Sequence, residues 1–492
     1  MSNENSGDLQ RGLKGRHVQM IAIGGAIGTG LFVALGGSLS AAGPGGALVA
    51  YGAIGVMVFF LMTSLGEMST YMPVTGSFET YATKFVDPSL GFALGWNYWY
   101  NWAITVAAEL EASVIVIKFW RPEMSVAEQM GWSLLFLAVL FFLNFFSVGS
   151  YGESEFWFAG IKVVAIIIFL IVGVLSIIGI LGGNSPGTAN WHVADAPFPG
   201  GFPAIIGIFM IAGFSFQGTE LIGVASGEVK NPAKAIPKAI RTVFFRIILF
   251  YIGAIIVIGF LIPYNDPNLL SGGVENIAVS PFTLVFERAG ILGAATIMNA
   301  VILTSILSCG NSGMYASTRM LYSMAVEGKA PKLFTKVNKG GVPIAALILT
   351  TLVGGAVFLG SLFGAEKMYI MLVNCSGVAG FIAWLGVAIS HYKFRKAFIA
   401  QGHSLDELQY KSKLFPFGPL FALALCLIVI IGQFFASDAG EVMGAIIGAS
   451  AVVALYIIHK IVKKTKLVKA EEADLTQGFA SQNPKDEPLE RL

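Results

Sequence analysis

Charge is scarce in this sequence. Of 492 residues only 12% are Asp, Glu, Lys or Arg, while 55% are hydrophobic and the mean hydropathy is +0.74. Soluble globular chains carry about 25% charged residues, so a soluble protein of this length could not cover its surface with polar groups. The surplus apolar surface must face lipid. What charge there is nearly balances, at +2, which excludes a broad electrostatic draw towards nucleic acid or an acidic partner. Cysteine is scarce too. Cys309, Cys375 and Cys426 lie in separate apolar stretches, without the spacing of a disulfide framework or a zinc site, and read as small buried hydrophobes. The five histidines, His17, His192, His391, His403 and His459, fall near span ends or in loops and form no H-E-x-x-H motif or His–Asp pairing. A membrane enzyme needs a convergent nucleophile or acid–base pair, so catalysis is not expected, nor is a metal or cofactor. The opening residues lack a charged leader, a short apolar core and a small-residue cleavage site, so no cleaved signal peptide is expected.

What abounds instead is long apolar runs. Runs of about 20 residues, enough to cross ~30 Å of hydrocarbon, recur near 17–41, 46–71, 90–119, 130–147, 156–182 and 201–226. The second half adds 242–263, 281–309, 342–364, 368–391, 415–436 and 441–462, which makes twelve. Lys and Arg placement tests that count. With the N-terminus in the cytoplasm, the inner segments hold Arg11, Lys14, Arg16, Lys84, the 230–241 and 319–339 clusters, Lys393 to Lys413 and the run Lys460 to Lys469. The outer loops hold little beyond Lys118, Arg121 and Lys367. This asymmetry follows the positive-inside rule and puts both termini in the cytoplasm, which needs an even number of spans. Residues 1–16 read as a cytoplasmic tail, and 468–492, polar and without apolar period, as a disordered one. The basic amphipathic stretch 232–240 reads as a surface anchor on anionic lipid or as a moving gate element.

Two spans interrupt their own helical pattern. The first carries Gly24, Gly25, Gly28 and Gly30 within seven residues, and each glycine costs a helix interior about 1 kcal/mol relative to alanine. The sixth carries Gly213-Phe214-Ser215-Phe216-Gln217-Gly218-Thr219-Glu220, polar groups at mid-membrane depth. The two sites lie about 190 residues apart and each opens a block of five spans, the arrangement of two repeats in opposite orientation. A helix broken inside a membrane leaves N–H and C=O groups that protein, water or ligand must satisfy. The positive end of a half-helix suits a carboxylate, and unwound carbonyls suit an ammonium. A zwitterionic α-amino acid offers both. The alternative, close helix packing through small residues, accounts for Gly24 and Gly28 but not for Gln217, Gly218 and Glu220 at the matching position.

The motifs GGAIGTGLF, AGPGGAL, LGEMSTYMPVTGSFETY, FALGWNYWYNWA, FSFQGTELIG with GEVKNPAKAIP, and CGNSGMYASTRMLY resemble the amino acid–polyamine–organocation superfamily, and within it the bacterial lysine-specific permeases. The resemblance runs from about residue 10 to about residue 435; the last two spans and the tail share it least. It implies an all-α polytopic membrane protein of 12 transmembrane helices, with the five-plus-five inverted-repeat (LeuT-like) transporter fold and discontinuous helices 1 and 6. The transporter domain is expected over 17–467, repeat one over about 17–183, repeat two over about 201–392, and two last helices over about 415–462. Proton-coupled uptake of L-lysine across the bacterial inner membrane by alternating access is what the resemblance implies. A permease or exchanger for another amino acid, or a nutrient sensor with secondary transport, keeps the fold and changes the task, and any regulatory membrane partner is unspecified.

Intramembrane charges are expensive and read as functional. Glu109 and Glu111 lie in the third span, Lys162 in the fifth and Glu220 in the sixth. Glu109 and Glu111 point about 200° apart on a helix, so they cannot face one site. Asn101, Thr105 and Glu109 fall on one stripe; the family likeness sets it against the substrate side chain, with Ser376 on the opposite wall. Ile27, Gly28, Thr29 and Gly30 of the first break and Phe214, Phe216, Gln217 and Gly218 of the second complete the expected substrate site. Lys162 resembles the lysine that stands at the sodium position of sodium-coupled relatives, so protons are the expected coupling ion; a fixed structural ion pair is the alternative. Glu220 either joins the pocket or serves coupling. Glu111, with Lys118 two turns on, and Glu228 are read as gate, vestibule or structural residues. Arg246 and Arg288 are expected to snorkel from span ends. A carboxylate at Glu109 calls for a cationic side chain, and compact acceptors favour an ammonium over a guanidinium, hence lysine over arginine.

Overall fold

A computed structural model describes residues 9, 11–25, 27–183, 185–270, 280–291, 293–359, 365–435 and 439–476. Among them the chain is helical throughout, with one isolated parallel bridge between Leu13 and Val229. Nine helices of the described residues are long and apolar enough to cross a membrane: Ala34–Tyr71, Pro88–Ile117, Val126–Phe145, Val148–Ile177, Gly201–Glu228, Pro232–Leu261, Ala294–Val326, Met371–Ala400 and Ile446–Lys463. Ile344–Phe358 and Phe417–Gly432 are apolar but shorter.

Burial sorts these helices into centre and rim. The most apolar window of Pro88–Ile117 is 94% buried and that of Val126–Phe145 only 22%, so the first is central and the second presents Leu134, Leu135 and Phe142 outward. Pro88–Ile117 begins cleanly because Asp87 accepts from the Ser89 N–H at 2.8 Å and Pro88 takes the first helical position. It packs against Ala294–Val326 and Ala365–Ala400, and these three helices bring the polar stripe and Ser376 together.

Four sequence expectations change. The spans near 17–41 and 46–71 meet without a loop, because Gly43 (φ 69°) and Pro44 turn the backbone inside one continuous helical run. The stretch 232–240 is no separate surface element: it forms the first turns of Pro232–Leu261, with Ala235, Ile236, Ala239 and Ile240 buried and Lys234 and Lys238 outside. The run at 281–309 divides into a short helix, Pro281–Arg288, and the start of Ala294–Val326, since Gly290 and Gly293 adopt φ of 74° and 75°. Lastly, residues 468–476 are docked, not disordered. Val468 N–H donates to Val86 O at 2.8 Å, Tyr71 donates to Leu475 O at 3.0 Å, and Gln401 donates to Ala473 O at 2.8 Å. Asp474 pairs with Lys84 at 2.8 Å; burial pushes its carboxyl up, but Lys84 and Thr476 outweigh that and hold it below the usual carboxylate range. Four apolar residues, Val468, Ala470, Ala473 and Leu475, are too few for a periodic signal yet enough to seat the strap. The expected remainder of that tail, 477–492, lies outside the described residues.

One buried ion pair ties this end of the helices. Glu67, fully buried, takes the Arg395 guanidinium in two hydrogen bonds and the Ser412 N–H at 2.6 Å. Glu67→Ala would leave Arg395 buried without a counter-charge, at a cost of about 3–5 kcal/mol. Thermal unfolding in detergent should fall accordingly, and an unchanged midpoint would show that the pair is not structural.

Candidate functional site

The first span runs as a helix over Gly15–Met20, widens over Ile21–Gly25, and restarts at Thr29–Phe32. Between them Ile27 closes a turn onto Gly24 O at 3.1 Å, and Gly28 leaves helical geometry at φ −135° and ψ −140°. The sixth span is helical to Phe216, opens at Gln217 and at Gly218 (φ 88°), and resumes at Leu221–Ala225. That left-handed φ is one only glycine adopts freely. The two interruptions touch. Ser215 Oγ donates to Gly30 O at 2.8 Å, and Ser215 O accepts from Tyr251 at 2.6 Å.

Around them lies a cleft holding about 250 Å³ of atom-free space, lined by Gly28, Gly30, Trp102, Thr105, Glu109, Phe214, Ser215, Gln217 and Cys309. Glu109 dominates its chemistry. Thr29 Oγ1 donates to Glu109 Oε1 at 3.1 Å, so the carboxylate sits at the positive end of the Thr29–Phe32 half-helix. Its Oε2 is buried with no hydrogen-bond partner among the described residues, with the Cys309 thiol and the Tyr369 hydroxyl nearby. An unsatisfied buried carboxylate oxygen is costly. The Cys309 thiol is at most a weak donor to this carboxylate, and Glu109 lines the cleft. Gly28 makes room for this: a Cβ there would lie 2.7 Å from Glu109 Oε1 and 2.8 Å from Cys309 Cβ.

One wall of the cleft is a closed polar network. Ser376 Oγ donates to Asn101 Oδ1 at 2.7 Å and lies 2.8 Å from Thr105 Oγ1. Asn101 Nδ2 reaches Gln217 Oε1 at 3.3 Å, and Gln217 Nε2 donates to Ser376 O at 3.1 Å. Stripe, second break and tenth-span motif come together, but Ser376 bonds to the stripe on the same wall and does not face it from the opposite one. Phe214 lines the cleft, whereas Phe216 lies behind it, its ring 4.1 Å from that of Tyr251.

The remaining ionisable groups separate into distinct settings. Lys162 is fully buried and donates to Gly24 O at 2.7 Å, a second donor on a carbonyl that the first break leaves with only the Ile27 turn contact. Glu220 does not reach the cleft lining. Tyr98 and Trp384 each donate to it at 3.1 Å, and Gly218 N–H donates to it at 3.0 Å, so it braces the second break with neutral donors. Glu228 pairs with Arg319 at 3.1 Å and accepts from Tyr315. Glu111 is buried on the other face of its helix, with Lys118 as its charged neighbour.

Arg246 corrects the snorkelling expectation. It is 1% exposed and donates to Ala22 O at 3.2 Å and to Tyr251 at 3.0 Å; the early start of Pro232–Leu261 moves it from a span end to the helix middle. Arg288 does lie near a helix end, paired with Asp266. Sequence reasoning also missed Ser215, Cys309, Tyr369 and Glu155. Ser215 sits inside a quoted motif. Cys309 reads as a small hydrophobe in any apolar run, and only the close approach at Gly28 exposes its place.

A multi-pass helical membrane protein with two interrupted helices meeting at a buried carboxylate is the class these features define. Residues 17–471 match the model of the amino acid permease family, and the chain belongs to that family. Relatives of nearly full length are permeases, not enzymes. The lysine-specific permease LysP of Escherichia coli is 55% identical over 477 residues, covering 96% of this chain and 97% of its own. LysP of Lactococcus lactis is 50% identical, covering 95% and 93%, and the histidine permease HisP of the same organism 46%, covering 96% and 99%.

Because Gly28 has no room for a side chain, Gly28→Val should abolish binding of the amino acid while membrane insertion persists. Unchanged affinity for a radiolabelled substrate would move the binding site elsewhere.

Proposed function

We propose that this protein carries L-lysine into the cell, coupled to protons, by alternating access. The observation that carries the reading is the half-satisfied Glu109 carboxylate, buried in a cleft between two interrupted helices. Two lysine-specific permeases at 55% and 50% identity support it. Overall likeness alone does not select the substrate, since a histidine permease lies at 46%. A compact carboxylate with a threonine hydroxyl beside it suits an ammonium better than the planar fork of a guanidinium.

In this reading the α-carboxylate of lysine takes the N–H groups of Gly28–Gly30, beside the Thr29 hydroxyl that Glu109 now holds. Glu109 releases Thr29 and turns to the side-chain ammonium. The α-ammonium meets carbonyls around Phe214–Gln217, and Asn101, Thr105, Gln217 and Ser376 bound the stem. The Lys162 ammonium supplies the charge that steadies the first break and exchanges a proton during the cycle. Glu220, satisfied by neutral donors, fits bracing or coupling better than substrate contact. Glu228 with Arg319 fits an inner gate.

The wider architecture follows the same reading. The nine long helices, the two shorter apolar ones and the interrupted first span together make twelve, arranged as two inverted five-helix repeats over about 17–183 and 201–392 plus two further helices. Residues 1–16 and the C-terminal strap lie in the cytoplasm, and the protein sits in a bacterial inner membrane.

Three outcomes test this reading. In proteoliposomes unlabelled lysine should compete best, arginine and ornithine less well, and leucine or phenylalanine not at all; equal competition by leucine would refute a cationic substrate. Glu109→Gln should weaken lysine binding by about 3–5 kcal/mol, the usual penalty for breaking a desolvated charge pair. Affinity that survives this change removes Glu109 as the anchor. Lys162→Met should uncouple uptake from the pH gradient while some exchange persists, and native uptake that needs sodium and ignores protons would overturn the coupling.

A further inference from the structure

Two fully buried carboxylates have no role so far: Glu79, which is paired with Lys329, and Glu155. The hydrogen-bond donors of Glu155 are neutral: Ser308 Oγ at 2.6 Å on Oε1 and Asn311 Nδ2 at 3.3 Å on Oε2. Asn311 is in turn held by Asn144 at 2.8 Å. Glu155 and Lys162 lie seven residues apart on the Val148–Ile177 helix, two turns along one face. Lys162 is its principal cationic neighbour. Lys162 holds Gly24 O, and a Cβ on the next residue, Gly25, would stand 3.6 Å from Glu155 Oε1. Both ionisable groups therefore press on the same unwound segment.

We propose that Glu155 is the second proton-carrying group of the coupling device, receiving the proton that Lys162 gives up. Lys162 acts on Glu155 through its charge and not through a hydrogen bond in this structure, so the transfer runs through a bridging water or a side-chain approach. An N–H bond of the Lys162 ammonium breaks and an O–H bond forms on Glu155, and cation and carboxylate become amine and neutral acid. Charge is conserved, and no unpaired ion is left in the apolar interior, where it would be expensive. Gly24 O then loses its charged donor, and the first break is freed to rearrange.

From Glu155 hydroxyls lead part of the way towards the charged end of its helix, as far as Tyr151, which stacks on a tyrosine held by the inner ion pair. Ser312 faces the same carboxylate, and its hydroxyl lies 3.3 Å from Tyr151, whose ring stacks on Tyr315 at 4.1 Å. Tyr315 donates to Glu228, the partner of Arg319. His17 packs on Gly152 of the same helix and contacts Glu153, beside Arg16. The other titratable or charged groups close by are Cys309, the Arg246 guanidinium and, across the first break, Glu109.

The inference rests on the transport reading, so the test begins with the native full-length protein in liposomes. Failure of the native protein to catalyse lysine counterflow would defeat the transport reading whatever Glu155 does. With counterflow established, Glu155→Gln should retain it, lose accumulation driven by an outside-acid pH gradient, and lose the native pH dependence of exchange. Glu155→Asp should recover part of the driven accumulation. Driven accumulation by Glu155→Gln equal to the native level would overturn the proposal. Should Glu155→Gln fail to fold, Ser308→Ala keeps the carboxylate and removes one donor to its charged form. Its pH profile should move to higher pH with counterflow intact, and an unmoved profile would overturn the proposal equally.

Discussion

A carbonyl oxygen left without its helical N–H partner inside an apolar layer must find another donor. Gly24 O keeps only a turn contact from the Ile27 N–H at 3.1 Å and takes the Lys162 ammonium at 2.7 Å. Much else follows from that contact. With Gly24 held from outside the helix, the chain can widen over Ile21–Gly25, break near Gly28 and restart at Thr29, which sets the positive end of a short helix beside Glu109. The second interruption meets the same requirement differently, by folding the Glu220 carboxylate back onto Gly218 N–H and surrounding it with Tyr98 and Trp384. One break is steadied by a cation and the other by an anion.

The scarce charges are spent in two ways. Glu228 with Arg319 and Glu67 with Arg395 are paired, close to the polar ends of their helices, and act as clasps. Glu109, Glu155 and Glu220 take neutral hydrogen-bond donors, a setting in which gain or loss of one proton changes the local balance sharply. The first kind fastens helices to one another, and the second is where, in the proposed transport reading, a passing charge would be felt.

Much of this was legible in the chain itself. The two interruptions, the Asn101–Thr105–Glu109 stripe and the approach of Ser376 follow from glycine placement, helical period and motif likeness, and the geometry brings them together. Four things were not legible, each for a physical reason. Gly43 turns a helix without a polar loop, so hydropathy cannot mark the junction. Arg246 looks like an end residue until its helix is seen to start at Pro232. The strap 468–476 docks through backbone groups, which carry no side-chain signal. Glu155 lies only seven residues into its helix, where a carboxylate reads as an interfacial charge, and its burial depends on Ser308 and Asn311 from a distant part of the chain.

Arg246 also bears on how such a chain is built. A guanidinium in the middle of a membrane helix costs roughly 2.5–3.5 kcal/mol on insertion scales. Here it is met by Ala22 O, 224 residues earlier in the chain, and by Tyr251 on its own helix. That acceptor is synthesised long before Pro232–Leu261 emerges from the ribosome. Until the two segments meet, the guanidinium lacks that acceptor, so this part of the fold is complete only when residues far apart in the chain have come together. One arginine thus ties an early part of the chain to a late one.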